Sequence, residues 1–141
     1  MKQLTLKDKM ARAIARRKGE VVLRADFEKL GSPAQVSRVL KALIEDGVIV
    51  RLGYGVYAKA RPSTLSGRPV PRVTLDELAQ EALTRMGVKV ELGRAAKEYM
   101  EGKTTQIPAW TTFNTGGRRI TRKIGIGINK VRYENDYRSR A

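Results

Sequence analysis

Polar side chains with hydrogen-bonding capacity recur on one side of the segment SPAQVSRVLKALIEDG. Gln35, Arg38 and Lys41 are three residues apart, so on a helix they lie roughly along one face. Gln can form two hydrogen bonds with adenine, and Arg can form two with guanine. The spacing therefore predicts contact with base edges, and Ser32 and Ser37, near the start of the helix, are candidates for contact with a nucleic-acid backbone.

The segment that follows, VIVRLGYGVYAKAR, predicts two short strands around a glycine-flanked turn. Arg51 and Tyr54 lie on or near this turn, and Lys59 and Arg61 follow the second strand. A hairpin tip with Arg or Tyr can contact a phosphate or enter a minor groove. The alternative is a solvated amphipathic helix beside a solvated hairpin, since any surface helix has a polar face. Tyr57 is expected to pack inward.

The elements that must position these residues have clear local signals. Thr5 is a candidate N-cap with Asp8 three residues later, and Gly19 predicts the end of that first helix. EVVL predicts a short strand, and RADFEKLG predicts one or two helical turns. Ser32 as N-cap and Pro33 at the first helical position predict the start of the next helix.

The remaining half has a proline-rich segment and then a second mixed region. RPSTLSGRPVPR predicts a linker, or an extended arm whose Arg68 and Arg72 follow a minor groove. VTLDELAQEALTRMG predicts a helix capped by Thr74, and RAAKEYMEGK predicts a shorter one. The chain then becomes β-like, with a turn at NTGG and a near-alternating strand from Ile124 to Val131. Trp110 and Phe113 are expected in the core rather than as stacking platforms.

A second group of basic residues follows that turn and comprises Arg118, Arg119, Arg122 and Lys123. A basic hairpin beside glycines is a plausible phosphate clamp for the same DNA or for a separate RNA. The alternative is a solvated hairpin on a basic protein.

Composition points to an anionic partner. The 141 residues hold 29 Lys and Arg against 14 Asp and Glu, a net charge of +15. Residues 1–62 contribute +8, residues 63–105 contribute +1 and residues 106–141 contribute +6. A basic excess of this size is typical of proteins that bind nucleic acid, an anionic membrane surface or an acidic protein.

Several functional classes are disfavoured. The chain has no cysteine and no histidine, so disulfides, thiolate chemistry and the commonest zinc ligand and general base are missing. No phosphate-binding glycine loop is present. We therefore expect no enzyme, no cofactor and no metal. With no secretory leader and no apolar run of about 18 residues, the expected location is cytoplasmic, without a membrane partner.

The stretch GEVVLRADFEKLGSPAQVSRVLKALIEDGVIVRLGYGVYAKAR resembles the N-terminal winged helix of AbiEi-type antitoxins and related transcriptional regulators. Gly55, Val56 and Tyr57 match the Gly-x-Tyr pattern of the wing, and the resemblance covers about residues 5–61. QIPAWTTFNTGGRRITRKIGIGINKVRY resembles the start of the second α/β domain of that family, although the C-terminal part is shorter here. The resemblance implies a prokaryotic DNA-binding repressor, with autorepression as an antitoxin-like role.

Together these patterns predict an α+β protein with a winged helix-turn-helix domain at 1–62, a linker at 63–73 and a small helix-plus-β-hairpin domain at 74–141. The expected function is sequence-specific binding of double-stranded DNA in transcriptional regulation. A toxin protein and a second copy of the chain are further candidate partners. Two alternatives remain: a nucleic-acid binder without sequence preference, for RNA or for architectural DNA, and a protein-interaction module that neutralises a toxin.

The second basic group gives a direct prediction. Arg118→Ala combined with Arg119→Ala should lower affinity for DNA and reduce the slope of log K against log salt by up to about two, because each phosphate contact contributes about 0.9 to that slope. Titration of duplex DNA at several salt concentrations measures this slope. An unchanged slope would exclude the hairpin from the interface.

Overall fold

A computed structural model describes residues 4–103, 105, 112–116, 120, 122–126 and 129–134 as a mixed α+β protein. The chain divides into two compact units, Met1–Thr74 and Leu75–Ala141. Unit 1 contains two α-helices, a 3₁₀ turn and four strands: α1 Leu6–Arg16, β1 Val21–Leu23, the turn Arg24–Phe27, α2 Pro33–Glu45, β2 Ile49–Gly53, β3 Val56–Pro62 and β4 Pro69–Pro71.

Helix α1 begins with the predicted cap. The Thr5 hydroxyl accepts a hydrogen bond from the backbone N of Asp8 at 3.1 Å, and the Asp8 carboxylate accepts one from the backbone N of Thr5 at 3.2 Å. The helix ends at Arg16, earlier than the expected stop at Gly19, because Arg17 already has extended backbone angles.

Helix α2 also begins as predicted, with Ser32 as N-cap and Pro33 in the first turn. The buried positions Val36, Leu40 and Leu43 follow helical spacing and face the core of unit 1. That core joins both helices to the sheet. Its buried members are Met10, Ile14, Val22, Phe27, Val36, Leu40, Leu43, Ile49 and Tyr57.

The sheet of unit 1 has β3 at its centre. Strand β3 pairs antiparallel with β1 on one side and with β2 on the other. The β2–β3 hairpin has an irregularity between Arg51 and Gly53. The chain reverses over Tyr54 and Gly55, where Gly55 has a φ of +71° that favours glycine. The hairpin predicted from sequence is thus present, with a very short turn.

The boundary at residue 62 and the linker at 63–73 are corrected by the structure. Residues Pro69–Pro71 form β4, which pairs antiparallel with the end of β3. Arg72 forms an ion pair with Glu20, with 3.2 Å between Nε and Oε1. The proline-rich segment therefore folds back onto unit 1, which extends to Thr74. The paired segments are neighbours in the chain, but the sequence did not predict the pairing, because prolines between two regions usually indicate a linker.

Unit 2 contains α3 Leu75–Arg85, β5 Glu91–Leu92, α4 Arg94–Met100, β6 Thr112–Asn114, β7 Gly125–Ile126, β8 Asn129–Lys130 and β9 Arg132–Glu134. The buried face of α3 includes Leu78, Ala79, Ala82 and Leu83, which follow helical spacing. Strand β6 pairs antiparallel with β5 and parallel with β9. Phe113 is buried, in agreement with its expected core role, whereas Trp110 lies outside the described residues.

The predicted strand from Ile124 to Val131 is wrong. Gly125 pairs with Lys130 and Ile126 with Asn129, so the chain turns back as a hairpin. The backbone N of Val131 donates to the carbonyl of Ile124 at 2.9 Å. A Cβ at Gly125 would lie 2.5 Å from the Asn129 carbonyl oxygen, so only glycine allows this approach.

None of the helices in the described part of the chain has the length and apolarity that a membrane crossing needs.

The cap of α2 yields a stability prediction. Ser32→Ala removes the acceptor for the backbone N of Gln35 and should lower the free energy of unfolding by about 0.5–2 kcal/mol. Ser37→Ala is the matched control, because Ser37 lies on the exposed side of the same helix. Urea unfolding followed by circular dichroism measures both variants. Equal stability of the two variants would contradict the capping role.

Candidate nucleic-acid interface

An open cleft of about 420 Å³ lies between α2 and the β2–β3 hairpin of unit 1. Leu40, Ile44 and Tyr57 give it an apolar floor. None of the described residues that line the cleft is acidic. Its polar lining consists of three cations and two residues with hydroxyl groups: Arg24, Lys41, Arg51, Ser37 and Tyr54. Three positive charges around an apolar floor suit an anionic ligand that also has flat or apolar parts. Nucleic acid is such a ligand.

Helix α2 contributes Ser37 and Lys41 to this cleft. Both side chains are exposed, and they are four residues apart, so they lie on the same side of the helix. Arg38 is also exposed and lies beside them rather than in the cleft lining. Its Nε is 3.4 Å from the carbonyl of Ala34, a long hydrogen bond along the helix surface. The structure thus brings two predicted residues into the cleft and a third next to it.

Gln35 has a second role that the sequence interpretation overlooked. Its side-chain oxygen accepts a hydrogen bond from the backbone N of Ser32 at 3.1 Å, while the Ser32 hydroxyl accepts one from the backbone N of Gln35 at 3.2 Å. These two predicted DNA contacts therefore form the capping box of α2. A two-bond contact of Gln35 with adenine would have to share or break the bond to Ser32.

The hairpin contributes Arg51 and Tyr54. Tyr54, at the turn, is 80% exposed, which makes it the most prominent aromatic side chain of unit 1. Arg51 is exposed, and its Nε donates to the carbonyl of Gly53 at 3.3 Å, so the guanidinium stays close to the turn. Arg61 is exposed at the far end of β3 and donates to the carbonyl of Pro62 at 3.3 Å, outside the cleft lining.

Arg24 is the cleft residue that sequence reasoning missed. Its backbone N donates to the carbonyl of Gly55 at 3.0 Å, and its Nη2 donates to the carbonyl of Pro33 at 2.8 Å. One residue therefore connects the hairpin turn with the start of α2 and adds a positive charge between them. No local pattern could have indicated this role, because both partners are distant in sequence.

The assignment of Lys59 to the interface is wrong. Its side chain is only 8% exposed, and its Nζ donates to the carbonyl of Arg17. The residue was expected to follow the second strand, but β3 continues to Pro62 as the central strand of the sheet. Lys59 therefore connects the sheet to the end of α1 instead of facing a ligand.

The second basic group belongs to unit 2 and is described only in part. Arg122 and Lys123 are exposed, whereas Arg118 and Arg119 lie outside the described residues. The Tyr133 hydroxyl donates to the carbonyl of Arg122 at 2.7 Å, which fixes the backbone there. Burial raises the pKa of Tyr133, against the opposing effect of the Arg122 charge, so this phenol remains a neutral donor.

Asp26, two residues after the cleft residue Arg24, has a structural role. The Asp26 carboxylate accepts a hydrogen bond from the backbone N of Leu23 at 2.9 Å and lies 3.5 Å from Arg17 Nη1. It therefore joins the end of α1 to the turn that precedes α2. Within the described ranges, no group of three or more acidic, His or Cys side chains is placed to hold a metal ion.

The geometry thus defines a small mixed α+β protein with a basic cleft on its first unit. The chain belongs to a family of unknown function, DUF6088, whose model matches residues 6–138. No curated protein matches the chain.

The burial of Lys59 predicts that replacing it lowers stability, whereas replacing the nearby exposed Arg61 does not. Lys59→Met removes the donor to Arg17 and should lower the free energy of unfolding by about 1–3 kcal/mol, without changing the salt slope of DNA binding. Arg61→Met is the matched control, because Arg61 is exposed two residues later on the same strand, and it should leave stability unchanged. Urea unfolding and salt titrations measure the two effects. A reduced salt slope for Lys59→Met would show that Lys59 does contact DNA.

Proposed function

We propose that this protein is a sequence-specific double-stranded DNA-binding transcriptional regulator and that unit 1 is a winged helix-turn-helix domain. The observation that carries the proposal is the cleft in which Lys41 of α2, Arg51 of the hairpin and Arg24 between them lie around one opening. A helix beside a basic hairpin allows base edges and phosphates to be contacted at the same time.

The order of elements supports this fold. Helix α1, strand β1, the turn Arg24–Phe27, helix α2 and the β2–β3 hairpin follow one another as in a winged helix-turn-helix domain. Here a 3₁₀ turn stands where such domains have their second helix. In this proposal α2 is the recognition helix and the hairpin is the wing.

The exposed side of α2 fits a major groove. Ala34 and Ser37 are small and lie near its N-terminal half, so the helix can approach the base edges closely. Arg38 extends from the same side, long enough to reach guanine. We assign base reading to Arg38 and contacts with phosphates to Ser37 and Lys41.

The hairpin and its anchor fit the adjacent backbone. Tyr54 and Arg51 reach a phosphate or the edge of the minor groove, and Arg24 holds the turn next to the start of α2. In unit 2, Arg122 and Lys123 provide further phosphate affinity. The net charge of +15 supports fast, salt-dependent association with DNA, but by itself it favours no sequence.

A narrower form of the proposal is an antitoxin-like autorepressor. It is supported by the resemblance of about residues 5–61 to the winged helices of AbiEi-type antitoxins, and it would add a toxin protein as a partner. Two copies of the chain on a palindromic operator would make a homodimer the binding form.

Fluorescence-anisotropy titrations at two salt concentrations test the function. The probes are the DNA upstream of the protein's own gene, a random duplex of equal length and single-stranded RNA. A preference for the upstream duplex that persists at higher salt is the expected result. Equal binding to all three probes, lost at higher salt, would instead identify a nucleic-acid binder without sequence preference.

The role of Arg38 can be tested separately. Arg38→Ala should weaken binding to the preferred duplex by roughly 1–3 kcal/mol, the value of a two-bond base contact, and should affect random duplex much less. Lys29→Ala is the control, since Lys29 is exposed and does not line the cleft. It should weaken both duplexes equally. An equal loss on both duplexes for Arg38→Ala would remove Arg38 from base reading.

A further inference from the structure

A row of three cations occupies the exposed face of α1. Lys9, Arg12 and Arg16 are three and four residues apart, so they lie on one side of the helix and extend over about 10 Å at 1.5 Å per residue. All three side chains are exposed. We call these residues the α1 stripe.

The α1 stripe is separate from the cleft. Met10 and Ile14, on the other side of α1, are buried in the core together with Leu40 and Leu43 of α2. At 3.6 residues per turn the stripe therefore faces away from α2. None of the three stripe residues lines the cleft beside α2 and the hairpin.

An ion-paired cation of α1, Lys7, lies outside the stripe. Lys7 forms an ion pair of 2.6 Å with Asp46, and this contact raises the pKa of Lys7. Asp8 is held in the cap by Thr5, whose hydrogen bonds lower the pKa of Asp8, with a smaller contribution from the charge of Arg12. The stripe thus has one neighbouring carboxylate on α1, that of Asp8, whose charge interacts with Arg12 but which already has a structural role in the cap.

The composition of this face favours phosphates over an acidic protein. Protein interfaces depend on buried aromatic or apolar anchors and are depleted of Lys at their centres. The exposed neighbours of the stripe on α1 are Asp8, Ala13 and Ala15, which offer no such anchor. Small side chains beside long cations instead let a nucleic-acid backbone approach closely, and one strand of a duplex has about three phosphates per 10 Å of helix axis, which matches the three cations.

We propose that the α1 stripe is a second nucleic-acid surface, which binds the phosphates of a second duplex segment while the cleft holds the first. This goes beyond a regulator that occupies one operator, because one molecule would then bridge two DNA segments. The bridging part rests on the proposed function of the cleft, whereas phosphate binding by the stripe does not.

A capture experiment tests the bridge. One random duplex is immobilised and loaded with the full-length protein, and a second, fluorescent random duplex is then added. The wild-type protein should retain the second duplex. The triple variant that combines Lys9→Gln, Arg12→Gln and Arg16→Gln should still bind the first duplex. It should retain at least tenfold less of the second duplex than the wild-type protein does. The same variant should lower the salt slope of binding by up to about three.

A charge-matched variant separates the stripe from general electrostatics. The control is a triple variant with the same loss of charge at exposed positions outside the stripe: Lys29→Gln, Arg68→Gln and Lys97→Gln. This variant should still capture the second duplex. Equal loss in both variants, or capture that survives in the stripe variant, would overturn the proposal. Loss of polyglutamate binding with capture intact would also overturn it and would assign the stripe to an acidic protein. Failure of the proposed function is measured separately, in the anisotropy titrations, where it would appear as a lack of preference for the upstream duplex.

Discussion

The pairing of β3 with strands on both sides is the constraint on which unit 1 depends. Strand β3 pairs with β1 and β2 along its first half and with β4 at its end. Because β2 and β3 are joined by a two-residue turn, this pairing fixes the hairpin beside α2. The cleft exists because the same sheet also packs Tyr57 and Ile49 against Leu40 and Leu43 of the helix.

Polar contacts then set the positions of the elements around the sheet. Lys59 connects β3 to the end of α1, Asp26 connects that end to the turn before α2, and Arg24 connects the start of α2 to the hairpin. Three charged residues of this basic protein therefore hold its helices and strands in position through hydrogen bonds and an ion pair. Two groups of cations on the surface of unit 1 are candidates for nucleic-acid contact: those around the cleft and those of the α1 stripe. A regulator with this distribution would have base recognition on one side and purely electrostatic contacts on the other.

Much of the fold could be predicted from sequence because its signals are local. The caps at Thr5 and Ser32, the apolar spacing of α2 and α3, and the glycine turn of the hairpin all depend on residues within a few positions of one another. The wrong predictions share a different cause. The linker became β4, and the strand from Ile124 to Val131 became a hairpin, because backbone pairing with an adjacent segment of the chain, rather than side-chain spacing, decided both.

The candidate site divides in the same way. The sequence alone determined which residues are basic, that α2 is amphipathic, and that Ser37, Lys41, Arg51 and Tyr54 belong to a helix and a hairpin that follow each other. Only the tertiary structure decided which of these side chains meet. It buried Lys59 and brought Arg24 into the cleft. The physical reason is that helix periodicity and capping act over a few residues, whereas the exposure of a charge depends on which strands and helices pack around it.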